Sequence, residues 1–381
     1  MGYIRGFDGV RAISVIIVIL GHLGITAQLG KIPEWGVYLQ NLVAPTRGVE
    51  IFFVLSGFLI TGLLIAEHDN TGSISLKRFA ARRALRILPV YFLFCALVIF
   101  LDAVGNAGLK IGAVPYLLTM IFNFTPNYFR TTVVGHVWSL AVEQHFYIFW
   151  PLIFIFFYKR GFSLIYIAVL FVLASVVYRY IAPRNGAYNY FAWTLPAASP
   201  IAIGCIIAIV LRLRSGWFIE IFRSWYSVVV GTFFYIISAT YPIPFGSVEL
   251  RAVGIGLLLA WILLNQQKLV VSALEISPLR YIGKISYGLY LWHVFFIGTG
   301  SYRFEGQTWP PDQLTGLVLL AAFAPLSWHG FEQPILKLKS KYRSNKRPVS
   351  HDAKEDTEHG DELLEIAGRS AKEKPLISIP K

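Results

Sequence analysis

Apolar residues run through the chain in blocks long enough for a helix to cross a bilayer, separated by short polar loops. Such blocks lie at 12–28, 48–66, 89–104, 137–158, 162–182, 195–211, 225–241, 250–265, 280–298 and 314–333, against the roughly 20 residues that a spanning helix needs. The pattern predicts an all-α, polytopic integral membrane protein with about ten transmembrane helices. An eleventh stretch, 113–125 (AVPYLLTMIFNFT), is short and contains Pro115 and Asn123, so it reads as a re-entrant or interfacial helix.

Charge settles the orientation of these blocks. With ten spans and the N-terminus inside, 26 of the 34 Lys and Arg fall on the cytoplasmic side, including five between Lys77 and Arg86 and 11 after residue 336. Counting 113–125 as a full span would put Lys159, Arg160, Arg212, Arg214 and Arg223 outside, against the positive-inside rule. Both termini are therefore expected in the cytoplasm, with the protein integral to a bacterial inner membrane. Residues 1–336 form the membrane domain, and 337–381 are charged, nearly free of aromatics and unable to bury a core, which predicts a solvated, disordered tail.

Composition agrees with the pattern. The 381 residues are 56% hydrophobic and 14% charged, well below the roughly 25% charged of an average soluble domain. The net charge of +13 sits in loops and tail, where it serves topology and lipid headgroups, and points away from nucleic acid. Cys95 and Cys205 both lie in apolar blocks, so neither a disulfide framework nor a cysteine metal site is expected, and no other metal site is read from the sequence. The first block carries polar residues and lacks a cleavage site, so it reads as a retained span.

Polar residues at membrane depth are costly and need a reason. In FDGVRAISVIIVILGH, Arg11 and His22 are about three helical turns apart, roughly 16 Å along the axis, on nearly one face, with Asp8 about 40° from that stripe. The second block holds Glu50 near its start and Ser56 and Gly57 midway; a small Ser-Gly pair reads first as close helix packing. GHVWSLAVEQHFYIFWP carries His136, Ser139 and Glu143 at helical spacing, and a carboxylate there calls for an imidazole or similar partner. ISYGLYLWH repeats the theme with Ser286, Tyr290 and His293. The loop LKRFAARRALRILPVY brings Lys77, Arg78, Arg82, Arg83 and Arg86 to one membrane face, either as a topology signal or as a site for a polyanionic ligand, since arginine forks suit phosphates.

At these residues the chain resembles the acyltransferase-3 family of integral membrane O-acyltransferases. The resemblance runs in order through FDGVRAISVIIVILGH, RGVEIFFVLSGFLIT, FAARRALRILPVY, HVWSLAVEQHFYIFWPL, ISYGLYLWH and SWHGFEQP. It implies transfer of an acyl group, most often acetyl from acetyl-CoA, to a hydroxyl of a cell-surface glycan, lipid-linked sugar or related acceptor. The partners implied are thus an acyl-CoA, a hydroxyl-bearing acceptor and the bilayer. Where many relatives continue Glu-Glu or Glu-Gln-Phe-Tyr after the Trp-Ser-Leu block, this chain inserts His145, which inherits no role. Some relatives carry an esterase-like domain after the membrane region; this sequence continues into its charged tail, so acceptor delivery by a fused domain is not expected.

Acyl transfer to an alcohol needs a base for the hydroxyl proton, positive groups for the developing oxyanion, and a cradle for the phosphate-rich donor. By resemblance and position, His22 is the general base, with Glu143 orienting it. Arg11 binds the donor or polarises its thioester carbonyl, and Arg82, Arg83 and Arg86 are the candidates for the CoA phosphates. Further candidates are Asp8, His136, Ser139, Ser286, Tyr290 and His293. Direct transfer and transfer through an acylated His22 both fit the residues. A proton-coupled transporter or a flippase for a polysaccharide precursor also uses His, Glu and Arg in its spans, and a non-catalytic membrane partner would tolerate loss of His22 and Arg11.

Overall fold

The computed structural model describes residues 3–105, 107–158, 163–182, 190–213, 216–241, 243, 246–298, 309 and 312–339. Among these residues there is no strand. The main helices are α1 (Phe7–His22), α2 (Pro45–Thr71), α3 (Leu76–Gly105), α4 (Trp138–Tyr158), α5 (Leu164–Ile181), α6 (Ser199–Leu213), α7 (Trp225–Thr240), α8 (Ser247–Leu264), α9 (Ser277–Lys284), α10 (Ser286–Ile297) and α11 (Gln313–Ser327). A π turn over Trp328–Glu332 continues α11 into α12 (Gln333–Lys337). Beyond Lys339 the charged tail lies outside the described residues.

Six helical segments among the described residues are long and apolar enough to cross a membrane: Gly36–Thr71, Leu76–Val104, Gly135–Tyr158, Leu164–Ile181, Ser247–Leu264 and Gln313–Lys337. The other four expected spans are helical but short. Helix α1 has 16 residues, α6 has 15 and α7 has 16, while the block 280–298 is interrupted at Ile285 and leaves 12 residues in α10. At 1.5 Å per residue these reach about 18–24 Å, less than the roughly 30 Å of a hydrocarbon core. Apolar composition runs past the helix ends, which is why apolar blocks outnumber full-length helices. Helix α1 is bounded by the left-handed glycines Gly6 (φ 88°) and Gly24 (φ 76°), a conformation that stops a helix whatever the hydropathy beyond it.

The 113–125 stretch is not one helix. Val114–Leu118 gives way at Met120 (φ 57°) to a 3₁₀ turn over Phe122–Phe124. Its buried Leu117 carbonyl accepts from the Tyr91 hydroxyl of α3 at 2.8 Å, so the stretch packs as a broken segment against the bundle.

Helix α2 is the hub, lying against α1, α4, α6 and α8. Its contact with α6 is backbone to backbone: a Cβ added at Gly57 would sit 1.9 Å from the Ile201 carbonyl, and one at Gly204 2.1 Å from the Val54 carbonyl. The packing reading of Gly57 is thus met by a reciprocal pair of glycines, the usual way for helices in lipid to approach closely. Near the start of α2, Glu50 (8% exposed) receives a bidentate pair from Arg251 of α8 (4% exposed), Nε to Oε2 at 2.8 Å and Nη2 to Oε1 at 2.9 Å. Arg251 Nη1 also donates to the Ser238 carbonyl of α7 at 2.6 Å, and Arg47 Nη1 to Glu50 Oε1 at 3.2 Å. At the other end of α2, Glu67 accepts from Arg82 Nη2 at 3.0 Å and from the Ser75 backbone N–H at 3.1 Å, closing the turn into α3.

On the periphery, Tyr166, Leu170, Leu173 and Val177 of α5 and Tyr226, Val229, Phe233 and Ile236 of α7 are exposed at helical spacing. Such stripes suit a helix whose outer face meets lipid.

Replacing Gly57 by Ala should force α2 from α6 and cost at least about 1–3 kcal/mol, the usual range for overpacking. The check is the melting temperature of the purified protein in detergent; no change would mean that the two helices are not held at this distance.

Candidate active site

Helices α1, α2, α3, α4 and α10 line an open cleft with a cavity volume of about 100 Å³. Three guanidiniums line it: Arg11 from α1, and Arg83 and Arg86 from the first turns of α3. Arg11 is anchored by Asp8, one turn earlier, through Nη1 to Oδ1 at 2.6 Å. Arg83 lies over two aromatic faces, 5.8 Å from the Phe79 ring centre and 5.6 Å from that of Tyr147, which holds a cation without neutralising it. Arg82, one residue earlier, turns instead to Glu67. The first three arginines therefore share one space, and the fourth fastens α3 to α2.

Lys339 adds to this concentration of positive charge. Burial, then the neighbouring guanidiniums of Arg86, Arg83 and Arg82, push its ammonium down to about 7. Protonated cations crowded in this way gain from a polyanion that can face several of them at once.

Opposite the guanidiniums, Glu143 of α4 accepts from Ser56 Oγ of α2 at 2.5 Å, and Ser56 Oγ lies 3.1 Å from the Tyr147 hydroxyl. Ser56 has one proton and gives it to the carboxylate, so Tyr147 donates to Ser56. The chain Tyr147, Ser56, Glu143 fixes the carboxylate against the cleft. The expected pairing of Glu143 with His22 is not made. A carboxylate on α4 meets the α2 hydroxyl next to the Gly57–Gly204 contact first, because that contact brings α2 to its position.

The tautomer of His22 is held by its own helix. His22 Nδ1 lies 2.9 Å from the Val18 carbonyl, one turn back. A carbonyl only accepts, so Nδ1 carries the proton and Nε2 keeps its lone pair. The His22 ring is 4.8 Å from that of His293, which is 4.9 Å from that of His136. His22 does not line the arginine cleft. Between cleft and imidazoles stand Ser139 and Tyr290, which line the cleft and share a hydrogen bond of 2.5 Å. The Tyr290 ring is 5.4 Å from His293 and 5.7 Å from His136. Ser286, the first residue of α10, lines the cleft from the third side.

The structure thus brings Arg11, Arg83, Arg86, Glu143, Ser139, Ser286 and Tyr290 to one cleft and gathers His22, His136 and His293 into a second group beside it. Asp8 stands behind Arg11. His145 is apart from both, hydrogen-bonded through Nδ1 to Thr194 Oγ1 at 2.7 Å. Sequence reasoning missed Tyr147, although it follows Glu143 by one turn on the same face, and missed that Ser56 holds the carboxylate, for which no local signal exists. Among the described residues, no group of three or more His, Cys, Asp or Glu side chains is arranged to hold a metal ion.

A family model described as an acyltransferase domain matches residues 4–328, a span that contains every residue of the cleft and of the imidazole group. The chain belongs to the acyltransferase-3 family. It is similar to the O-acetyltransferase OatA of Staphylococcus aureus strain NCTC 8325, at 30% identity over 372 residues, covering 88% of this chain and 57% of that protein. The putative O-acetyltransferase SACOL0978 of S. aureus strain COL is matched at 30% identity, with 58% of its length covered. The chain spans little more than half the length of these relatives. No solved structure matches it.

In this acyltransferase-3 chain, Ser56→Ala would leave the Glu143 carboxylate without its donor, a loss of about 1–3 kcal/mol. The melting temperature of the purified protein in detergent should fall accordingly, and an unchanged value would show that the carboxylate needs no such support.

Proposed function

We propose that the protein is a membrane O-acyltransferase that moves an acyl group, acetyl from acetyl-CoA, to a hydroxyl of a cell-surface glycan or lipid-linked sugar. One observation carries this reading: a cleft with three guanidiniums at one end of α1, and at the other end an imidazole whose Nε2 lone pair is held free by the Val18 carbonyl. The O-acetyltransferase names of the S. aureus relatives support the same chemistry.

In this reading the arginine end faces the cytoplasm, both termini lie there, and ten helical passes, some of them short, cross the bacterial inner membrane. The phosphates of the acyl-CoA bind Arg83 and Arg86, whose planar forks suit them. Arg11, steadied by Asp8, adds a third cation to the same donor-binding end of the cleft. Glu143 balances part of the positive charge so that the empty cleft does not bind anions at random. His22 is the general base, about 16 Å along α1 from Arg11. The acyl group and the acceptor must meet across Ser139 and Tyr290, so this hydroxyl pair lies on the path of transfer.

His22→Ala should abolish transfer of label from acetyl-CoA to any membrane or glycan fraction while insertion into the membrane is unchanged. Normal acylation by that variant would refute the assignment. Arg83→Gln and Arg86→Gln should each raise KM for acetyl-CoA about tenfold or more, the worth of a hydrogen bond to a charged group, with a smaller effect on kcat. An unchanged KM in both variants would remove the donor's phosphates from this site.

A further inference from the structure

The three imidazoles beside the cleft share a feature that a single base does not need. Each has one ring nitrogen against a main-chain carbonyl: His22 Nδ1 on Val18, His136 Nε2 on Leu291 at 3.0 Å, and His293 Nδ1 on Tyr290 at 2.5 Å. Each of those nitrogens is therefore an N–H, and the other nitrogen of each neutral ring is an acceptor. His136 Nδ1 and His293 Nε2 are buried and have no hydrogen-bond partner, in residues only 5% and 0% exposed. The rings cannot satisfy each other, because two lone pairs do not bond. The Tyr290 hydroxyl beside them is engaged with Ser139 Oγ and the His136 carbonyl, and Phe94 packs on the His136 ring with no proton to offer.

A buried acceptor left empty bears its full desolvation cost, so such groups in native structures have a reason. Two of them side by side, next to the proposed base, lack the same thing: O–H donors.

We propose that His136 and His293 are the acceptor-binding residues, their unpartnered ring nitrogens receiving O–H groups of a polyhydroxylated acceptor while His22 Nε2 takes the proton of the hydroxyl that is acylated. The inference rests on the reading of His22 as the base. In the transfer, the acceptor O–H bond breaks and its proton goes to His22. The oxygen's electron pair forms the new bond to the acyl carbon, the carbon–sulfur bond breaks with its pair on the CoA thiolate, and the proton held at His22 returns to neutralise that thiolate. His136 and His293 gain and lose no proton. They orient the neighbouring hydroxyls, which favours a sugar or other polyol over a lone alcohol.

Two substitutions remove the unpartnered nitrogens and keep the carbonyl bonds. In His136→Gln the side-chain amide replaces Nε2–H, and in His293→Asn it replaces Nδ1–H. Membranes carrying the full chain receive labelled acetyl-CoA, and label on lipid and glycan fractions is measured beside free acetate released by reaction with water. Folded protein is compared by gel filtration in detergent, and His136→Leu and His293→Leu serve as a second pair. Transfer to acceptor should fall about tenfold in each variant while acetate release stays within about twofold of the parent. An equal fall in both products would assign the free nitrogens to a water molecule or to the fold and overturn the proposal. No fall in either would overturn it as well. Retention of both products in His22→Ala would instead defeat the reading of the base, which separates the two failures.

Discussion

A charge placed at membrane depth persists only where the protein supplies its partner, and the cleft is built on one such case. The Glu143 carboxylate faces three guanidiniums and is held by Ser56, which Tyr147 supports in turn. Remove that carboxylate and Arg11, Arg83 and Arg86 confront one another across a partly dry space. Keep it, and the cleft stays open as a positively charged hollow with a defined wall. The hydrogen bond that fixes the carboxylate depends on where α2 lies, and α2 lies where Gly57 and Gly204 let two backbones touch.

The same constraint acts at the ends of α2. Glu50 with Arg251 and Arg47, and Glu67 with Arg82, tie the hub helix to α8 and α3. Buried pairs of this kind contribute little net stability against desolvation, but losing one partner is severe, so they fix register. With register fixed at both ends, the middle of α2 can present Ser56 to the cleft within the tolerance that a reacting site requires.

In the proposed reading, helix α1 spans the two halves of the chemistry. Arg11 belongs to the cleft and His22 to the imidazole group, and the Ser139–Tyr290 pair stands between them. A helix that holds its own histidine through the Val18 carbonyl needs no carboxylate for that purpose, which frees Glu143 to serve the cationic side. The two groups are thus separated by position along one rigid element and joined by residues of α4 and α10.

The helical class, the membrane setting and the family were legible from residues in order: apolar blocks, loop charges, and the six motifs from FDGVRAISVIIVILGH to SWHGFEQP. So was the common stripe of Arg11 and His22, because helical periodicity is local and 3.6 residues per turn needs no tertiary knowledge. Where helices end was less legible, since hydropathy registers composition while Gly6, Gly24 and Ile285 act through backbone conformation. Partnership across helices was not legible at all. That Glu143 meets Ser56 and not His22, that Arg82 turns away while Arg83 and Arg86 turn in, and that His136 and His293 join His22 all depend on interhelical distances. Those distances are decided by the close approach of small residues and by pairs far apart in sequence, such as Glu50 and Arg251, 201 positions apart, and no local pattern encodes them.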